Sequence, residues 1–299
     1  MRILESRRRV LQGLMGLTWV GGAAQAAEGE EKLVRHNFVP FPPGYPPTHR
    51  EEVLALVLER SSDRYGPARM AFTETVTQSR AFRELHAGHI DILGTGWTPV
   101  RDKLALAVRV DLYRGMMGLR TAVGLPERIR QVGAASNWRD IRRWSLGVGN
   151  EWPCHDAYKA AGLNVVGMLH VGTALERARR GGLDLISLSV VEAAWFAPLK
   201  GLSVIPSWGL FTAEPYYFFV SPDRPELAER LRYGFRRAGS DGSLDALFSK
   251  RIEAPVSRWL ERHPVIYDLR SGNERVDAQV FASRVIEPLM RQPWIEPSR

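Results

Sequence analysis

Cysteine is nearly absent: Cys154 is the one cysteine in 299 residues. A lone thiol excludes an internal disulfide and any zinc site built on several cysteines. Beyond the first 26 residues no apolar run reaches the roughly 18 residues that would cross a bilayer. Glycine (27) and proline (19) stand near their average share, which argues against a collagen-like or low-complexity chain. The chain also lacks a P-loop, a G-x-S-x-G elbow and an H-E-x-x-H helix. Lysine is scarce, with 5 against 36 arginines.

What is present is the composition of a globular protein, 44% hydrophobic and 25% charged, long enough for two ordinary domains or one large one. The formal charge of +8 raises the question of nucleic acid. The arginines, however, interleave with acids, as in Glu226-Leu-Ala-Glu229-Arg230-Leu-Arg232. That pattern reads as a solvated helix face, and no nucleic-acid partner is expected. Residues 1–26 read as a signal peptide: Arg7, Arg8 and Arg9, an apolar stretch Val10–Val20, and a small-residue cleavage site at Ala24-Gln25-Ala26. The run Ser6-Arg7-Arg8-Arg9-Val10-Leu11-Gln12 resembles a twin-arginine motif, while a Sec signal accounts for the same residues. Either route implies a periplasmic protein cleaved near Ala26.

The remaining chain alternates strand and helix, the mark of α/β layers. Strands are expected at 32–39, 69–77, 90–93, 119–124, 145–148, 164–169, 183–188 and 216–220. Helices are expected after the cap Thr48 with Glu51, then at 79–87, 138–141, 155–161, 173–180, 190–197, 225–238, 244–253 and 278–290. A proline-rich loop, 40–47, lies between the first strand and helix. The order strand, loop, helix, strand, helix, Gly, strand occurs twice, which suggests two similar lobes. Loops 94–99 and 149–153 then fall at carboxyl ends of strands, where open α/β sheets bind ligands.

Five pieces carry a resemblance. They are the segment Leu85–Arg101 with its Leu-x-x-Gly-x-x-Asp91 pattern, Gly118-Leu-Arg120-Thr-Ala-Val, Trp138–Pro153, Ala174–Asp184 with a second Gly-x-Asp, and Pro215–Leu227. In this order they resemble extracellular solute-binding proteins of family 3, the type II periplasmic-binding fold. The resemblance implies an α/β, two-lobed clamp with two crossing hinge strands. Lobe one would hold 27–121 and 218–299, with a C-terminal helical extension, and lobe two 122–217. It implies a monomer without cofactor or metal that captures a small carboxylate-bearing solute, such as an amino acid, by hinge closure for an ABC-type membrane permease.

Site residues follow the resemblance. Arg120 would pair with the ligand carboxylate, whose two oxygens match a guanidinium fork. Thr95, Gly96 and Trp97 would supply hydroxyl, backbone and stacking contacts. Phe41 or Tyr45 would cover the ligand as a stiff aromatic lid. Asn150, Glu151 and Trp152 open the second-lobe helix that would face the ligand from the other side. Ser189 stands where amino-acid binders of the family usually have Asp, so Glu151 or Glu192 would have to meet an ammonium group, or the ligand lacks one. The pair His86 and His89, split by Gly88, makes no metal site, and Cys154 beside His155 makes no catalytic pair. Two other readings stay open: an enzyme similar to the cyclohexadienyl dehydratases, with Glu151 as its acid or base, and a sensory or partner-binding module in which the tail 255–299 is a partner surface or a strap across lobe one.

Overall fold

A computed structural model describes residues 31–38, 47–74, 76–133 and 137–294. The expected leader, the proline-rich loop and both lid candidates, Phe41 and Tyr45, lie outside the described residues. Among the described residues no helix is long and apolar enough to cross a membrane. The cap at Thr48 forms as its sequence suggests: Thr48 Oγ1 accepts from the Glu51 N–H and Glu51 Oε2 accepts from the Thr48 N–H at 2.7 Å. The helix His49–Arg60 that follows buries the stripe Val53, Leu54, Val57 and Leu58.

The chain first supplies strands β1 (Lys32–His36), β2 (Ala68–Phe72), β3 (Ile92–Gly96) and β4 (Leu106–Val108). It then crosses over as β5 (Leu119–Gly124), followed by β6 (Leu146–Gly149), β7 (Val165–Met168), β8 (Leu185–Ser189), β9 (Ser203–Val204) and β10 (Trp208–Phe211). It returns as β11 (Tyr216–Val220) and ends with β12 (Val265–Asp268) and β13 (Glu274–Asp277). The first sheet has the order β2-β1-β3-β11-β4, the second β13-β12-β10-β5-β8-β6-β7, with β9 beside β5. Two lobes result, each an α/β layer around its own sheet. The core of the first packs Val34, Ile92 and Phe218 on the helices 49–60 and 225–240, and that of the second packs Val148, Leu185 and Leu210 on Tyr158.

The two Gly-x-x-Asp elements, Gly88–Asp91 and Gly181–Asp184, have the same structural job in both lobes. Asp91 accepts from the backbone N–H and guanidinium of Arg35 at 2.8–3.0 Å and from Arg224 at 2.8 Å. Asp184 accepts from the N–H and Oγ of Ser145 at 2.9 and 2.7 Å and pairs with Arg128 at 3.1 Å. Each carboxylate thus ties one strand start to its neighbour. Burial opposes the Asp91 charge, but its arginines outweigh burial and hold its pKa below the usual value.

The outbound and returning chain meet where β5 and β10 pair antiparallel, Leu119 opposite Phe211, and Thr212 N–H donates to Gly118 O at 3.1 Å. A Cβ on Gly118 would stand 1.9 Å from Thr212 O, so only glycine lets the two crossings touch. The tail differs from the helical extension expected. Strands β12 and β13 add to the second sheet through β10, while Leu244, Phe248 and Trp294 pack in the core of the first lobe. The helix expected to end at Glu253 runs on to Leu260 through a π-turn at Ser249–Glu253, which ends two residues before Pro255. A second π-turn, Ala282–Ile286, precedes Pro288. The wider turn relieves the clash and missing donor of a proline inside a helix.

Candidate functional site

The lobes face each other across the carboxyl ends of β1 and β3 and the helix starts after β6 and β8. On the first lobe, β3 ends in Thr95 and Gly96, both buried. Thr98 caps the short helix Pro99–Leu104, accepting from Arg101 N–H at 3.2 Å. This turn folds Arg101 back under the end of β3. Arg101 is 8% exposed. Its Nη1 donates to Gly96 O at 2.6 Å and Thr95 Oγ1 at 3.3 Å, and its Nη2 donates to Gln78 Oε1 and, across the cleft, to Glu151 O. All four acceptors are neutral. No carboxylate group among the described residues pairs with it. Burial lowers its pKa, against partial support from Tyr216, Glu151 and Glu214.

A second arginine continues the line. Arg50, in the first turn of helix 49–60, donates to Tyr216 Oη at 2.8 Å, and that hydroxyl donates to Gly94 O at 2.6 Å. The Arg50 guanidinium lies 5.5 Å from the Phe38 ring and 5.9 Å from that of Tyr216. Between the lobes here is a cavity of about 50 Å³, walled by His49, Arg50 and Tyr113 on one side and Glu192, Trp195 and Phe196 on the other. Arg251 of the tail closes it, paired with Glu52 at 2.6 Å and stacked 5.6 Å from the Trp195 ring. His49 donates through Nε2 to Leu112 O at 2.9 Å, and burial drives its pKa down to about 4.

The second lobe supplies Glu151, whose carboxylate accepts from Ser79 N–H at 3.1 Å and from its hydroxyl, so it clasps the first lobe. Pro153 approaches Gly96 so closely that a Cβ there would lie 2.7 Å from its ring. Ser189 is fully buried and caps the helix Val190–Leu199 in a capping box with Glu192: its Oγ accepts from Glu192 N–H at 3.1 Å and donates to Glu192 Oε2 at 2.9 Å. Asn150 is exposed, its Oδ1 laid against Gly167 of β7. Trp97 is half-buried against the small cluster of Phe82, Leu85 and Phe219, and its Nε1 has no partner.

Arg120 lies deeper than Arg101. It is 2% exposed, opposite Ser189 in the second sheet. It donates to Ser187 Oγ at 3.2 Å, Ser187 O at 3.3 Å and Met117 O at 3.3 Å, and it stacks 4.7 Å from the Trp152 ring. Its carboxylate partner is within the chain, Glu214 of the returning crossing, at 3.6 Å. Cys154 is fully buried near this pair, and burial pushes its thiol pKa up, away from nucleophilic use. His89 is exposed and bound to Glu84 at 2.8 Å. Among the described residues no group of three or more His, Cys, Asp and Glu could hold a metal.

The structure thus brings together Thr95, Gly96 and Glu151 at the lobe interface, while Trp152 packs in the second lobe under Arg120 and Ser189 caps the helix behind. It adds Arg101 and Arg50, which the motif reading left without a role. Solved structures share this architecture. The fold is that of the two-lobed periplasmic binding proteins. An ancestral arginine-binding protein bound to arginine matches with a TM-score of 0.55 at 17% identity, over 74% of this chain and 97% of that one. An ancestral amino-acid-binding protein, a precursor of cyclohexadienyl dehydratase, matches with 0.55 at 16%, over 74% and 95%. A histidine kinase sensor domain similar to periplasmic binding proteins matches with 0.54 at 18%, over 75% and 96%. At such identities the likeness concerns the fold. No protein-family model matches the chain, and no curated protein matches its sequence.

Proposed function

We propose that the protein is an exported solute-binding protein that takes a small carboxylate-bearing solute between its lobes. The observation that carries this reading is Arg101: a buried guanidinium at the lobe interface whose four hydrogen bonds all go to neutral acceptors. A buried cation with no carboxylate in contact is costly, and a ligand carboxylate supplies both the charge and two oxygens for the fork. Arg50 offers a second positive donor along the same line. Glu192 stands across the cavity within electrostatic reach of Arg50, so a solute carrying an ammonium group has a partner as well, which favours an amino acid. Arg120, already facing Glu214, holds the crossing strands under the site rather than the ligand.

The present cavity of about 50 Å³ is far below the roughly 300 Å³ or more of ordinary ligand sites. Entry therefore needs the lobes to part at the two crossings, with Glu151, Ser79 and Pro153 re-forming their contacts around the solute. Delivery to a membrane permease would follow reopening. No step of chemistry is assigned: Glu151 is engaged by Ser79, and the site holds its ligand by charge and shape.

Thermal unfolding of the protein against amino acids, dicarboxylates and aromatic acids tests this reading. A solute at 100 times its Kd stabilises by about 2.7 kcal/mol. The expected result is a hit that survives prolonged incubation unchanged and disappears in Arg101→Gln. A hit that Arg101→Gln leaves intact places the carboxylate elsewhere, and conversion of the solute makes the protein an enzyme.

A further inference from the structure

The tail is built into both lobes at once. Strand β12 lies beside β10, so the crossing strands β5 and β10 are widened by β12 and β13. Successive side chains of a strand point to opposite faces. On β12, Ile266 packs in the core of the first lobe and Tyr267 in that of the second, its ring 4.9 Å from Trp138. Trp259 lies against Gly209 of β10, where a Cβ would stand 2.5 Å from its ring. Phe281 meets Phe211 of the same strand edge to face at 5.0 Å.

The tail then reaches the foot of the other crossing. Between β4 and β5 the chain turns through Arg114 in left-handed backbone, φ 45°, a costly conformation for a residue with a Cβ. Asp111 holds this turn, accepting from Tyr113 and Gly115 N–H at 3.1 and 2.8 Å, and ties it to the returning strand through Tyr216 N–H at 3.2 Å. The tail grips the Arg114 side chain. Its Nη1 donates to Met290 O at 2.7 Å, its Nη2 pairs with Asp245 at 3.0 Å, and its guanidinium stacks 3.7 Å from the Trp294 ring and 5.0 Å from that of Phe248. Trp294 Nε1 donates to the same Asp245 carboxylate at 3.0 Å, and Leu289 seats against Gly115. Such a strained turn persists where its surroundings over-determine it.

We propose that residues 254–294 brace the hinge: they set a narrow limit on how far the lobes part, and full opening requires the tail to let go of Arg114. Lobe opening bends β5 and β10. With Ile266 and Tyr267 fixed in two cores, that bend either shears β12 through close-packed side chains or draws the end of the tail off the Arg114 turn. Close-packed cores yield little. The grip on Arg114, with Asp245 52% exposed, is the weaker point. The bearing of this brace on solute exchange rests on the cleft being the solute site; the restraint itself does not.

Spin labels on Lys103→Cys of the first lobe and Lys159→Cys of the second, both exposed, report the lobe separation without any solute. Cys154 is fully buried and stays unlabelled. Glu151→Ala, which removes the clasp on Ser79, should leave the mean distance close to that of the parent. Adding Trp294→Ala should broaden the distribution and lengthen its mean by more than the about 2 Å that marks a hinge rearrangement. If Trp294→Ala does not fold, Leu289→Ala, which weakens the same anchor at a half-buried position, should give the same shift. Leu175→Ala in the second-lobe core should lower the melting temperature and leave the distance with Glu151→Ala unchanged. Glu151→Ala alone reaching the long distance overturns the proposal. So does a double variant that melts earlier at the parent's distance, which would make the anchor a matter of stability only.

Discussion

Two buried arginines in one molecule carry opposite electrostatic situations. Arg120 has an internal carboxylate, Glu214, with both side chains at most 5% exposed. Arg101 has none among the described residues. Removing one partner of a buried pair strands the other, so Arg120→Gln should lower stability by about 3–5 kcal/mol in urea unfolding. Arg101→Gln, which strands no charge, should cost far less and act on binding. An arginine in an apolar strand announces that it needs a partner, and Arg120 could be read that far. Glu214 is 94 positions away along the chain, and nothing local points to it. Arg50 was invisible for a simpler reason: the apolar stripe of its helix puts it on the polar side, and only the return of Tyr216 brings that side into the cleft.

Two titratable residues beside the crossing strands work against each other. Burial raises the Asp111 pKa from 3.8 to about 6, although it accepts from the N–H groups of Tyr113, Gly115 and Tyr216. Its stabilising contribution is complete below the unfolded value and is lost as pH rises through about 6. His49, lowered from 6.5 to about 4 by burial, contributes fully above 6.5 and loses that contribution as pH falls toward 4. The two slopes oppose each other across pH 4–6. Asp111→Asn should remove the first alone, so that stability rises more steeply with pH than in the wild type; an unchanged profile would contradict the assignment.

At the scale of elements, most helices and the strands β1, β2, β3, β5, β6, β7, β8 and β11 are legible from periodicity and punctuation. Thr48 with Glu51 and Ser189 with Glu192 show why, since each cap is a local interaction. Ser189→Ala should cost about 1 kcal/mol and loosen Glu192, measured by thermal unfolding. The strands β10 and β12 are short and gain their identity from pairing with each other 57 positions apart, Gly209 opposite Ile266, which no local pattern records. The helix through Pro255 was also illegible, because proline ordinarily ends a helix and the π-turn that admits it has no sequence signature.

At the scale of the whole molecule, the lobes touch at this part of the cleft through Ser79 with Glu151, Arg101 with Glu151 O, and Gly96 under Pro153. Gly96→Ala should wedge this interface, visible as a larger radius of gyration in solution scattering and weaker solute binding; unchanged dimensions would mean the interface yields elsewhere. The tail ties the lobes on another side, with Trp259 donating to Ile205 O at 3.2 Å and Arg251 between Glu52 and Trp195. It therefore restrains how far the lobes part. The measurement that bears most directly on the account is a calorimetric titration of one bound solute into wild type, Arg101→Gln and Arg120→Gln. The account predicts saturable binding by the wild type, its loss in Arg101→Gln with the fold intact, and binding by whatever fraction of Arg120→Gln is folded. Full binding by Arg101→Gln, or its loss only in folded Arg120→Gln, would contradict it.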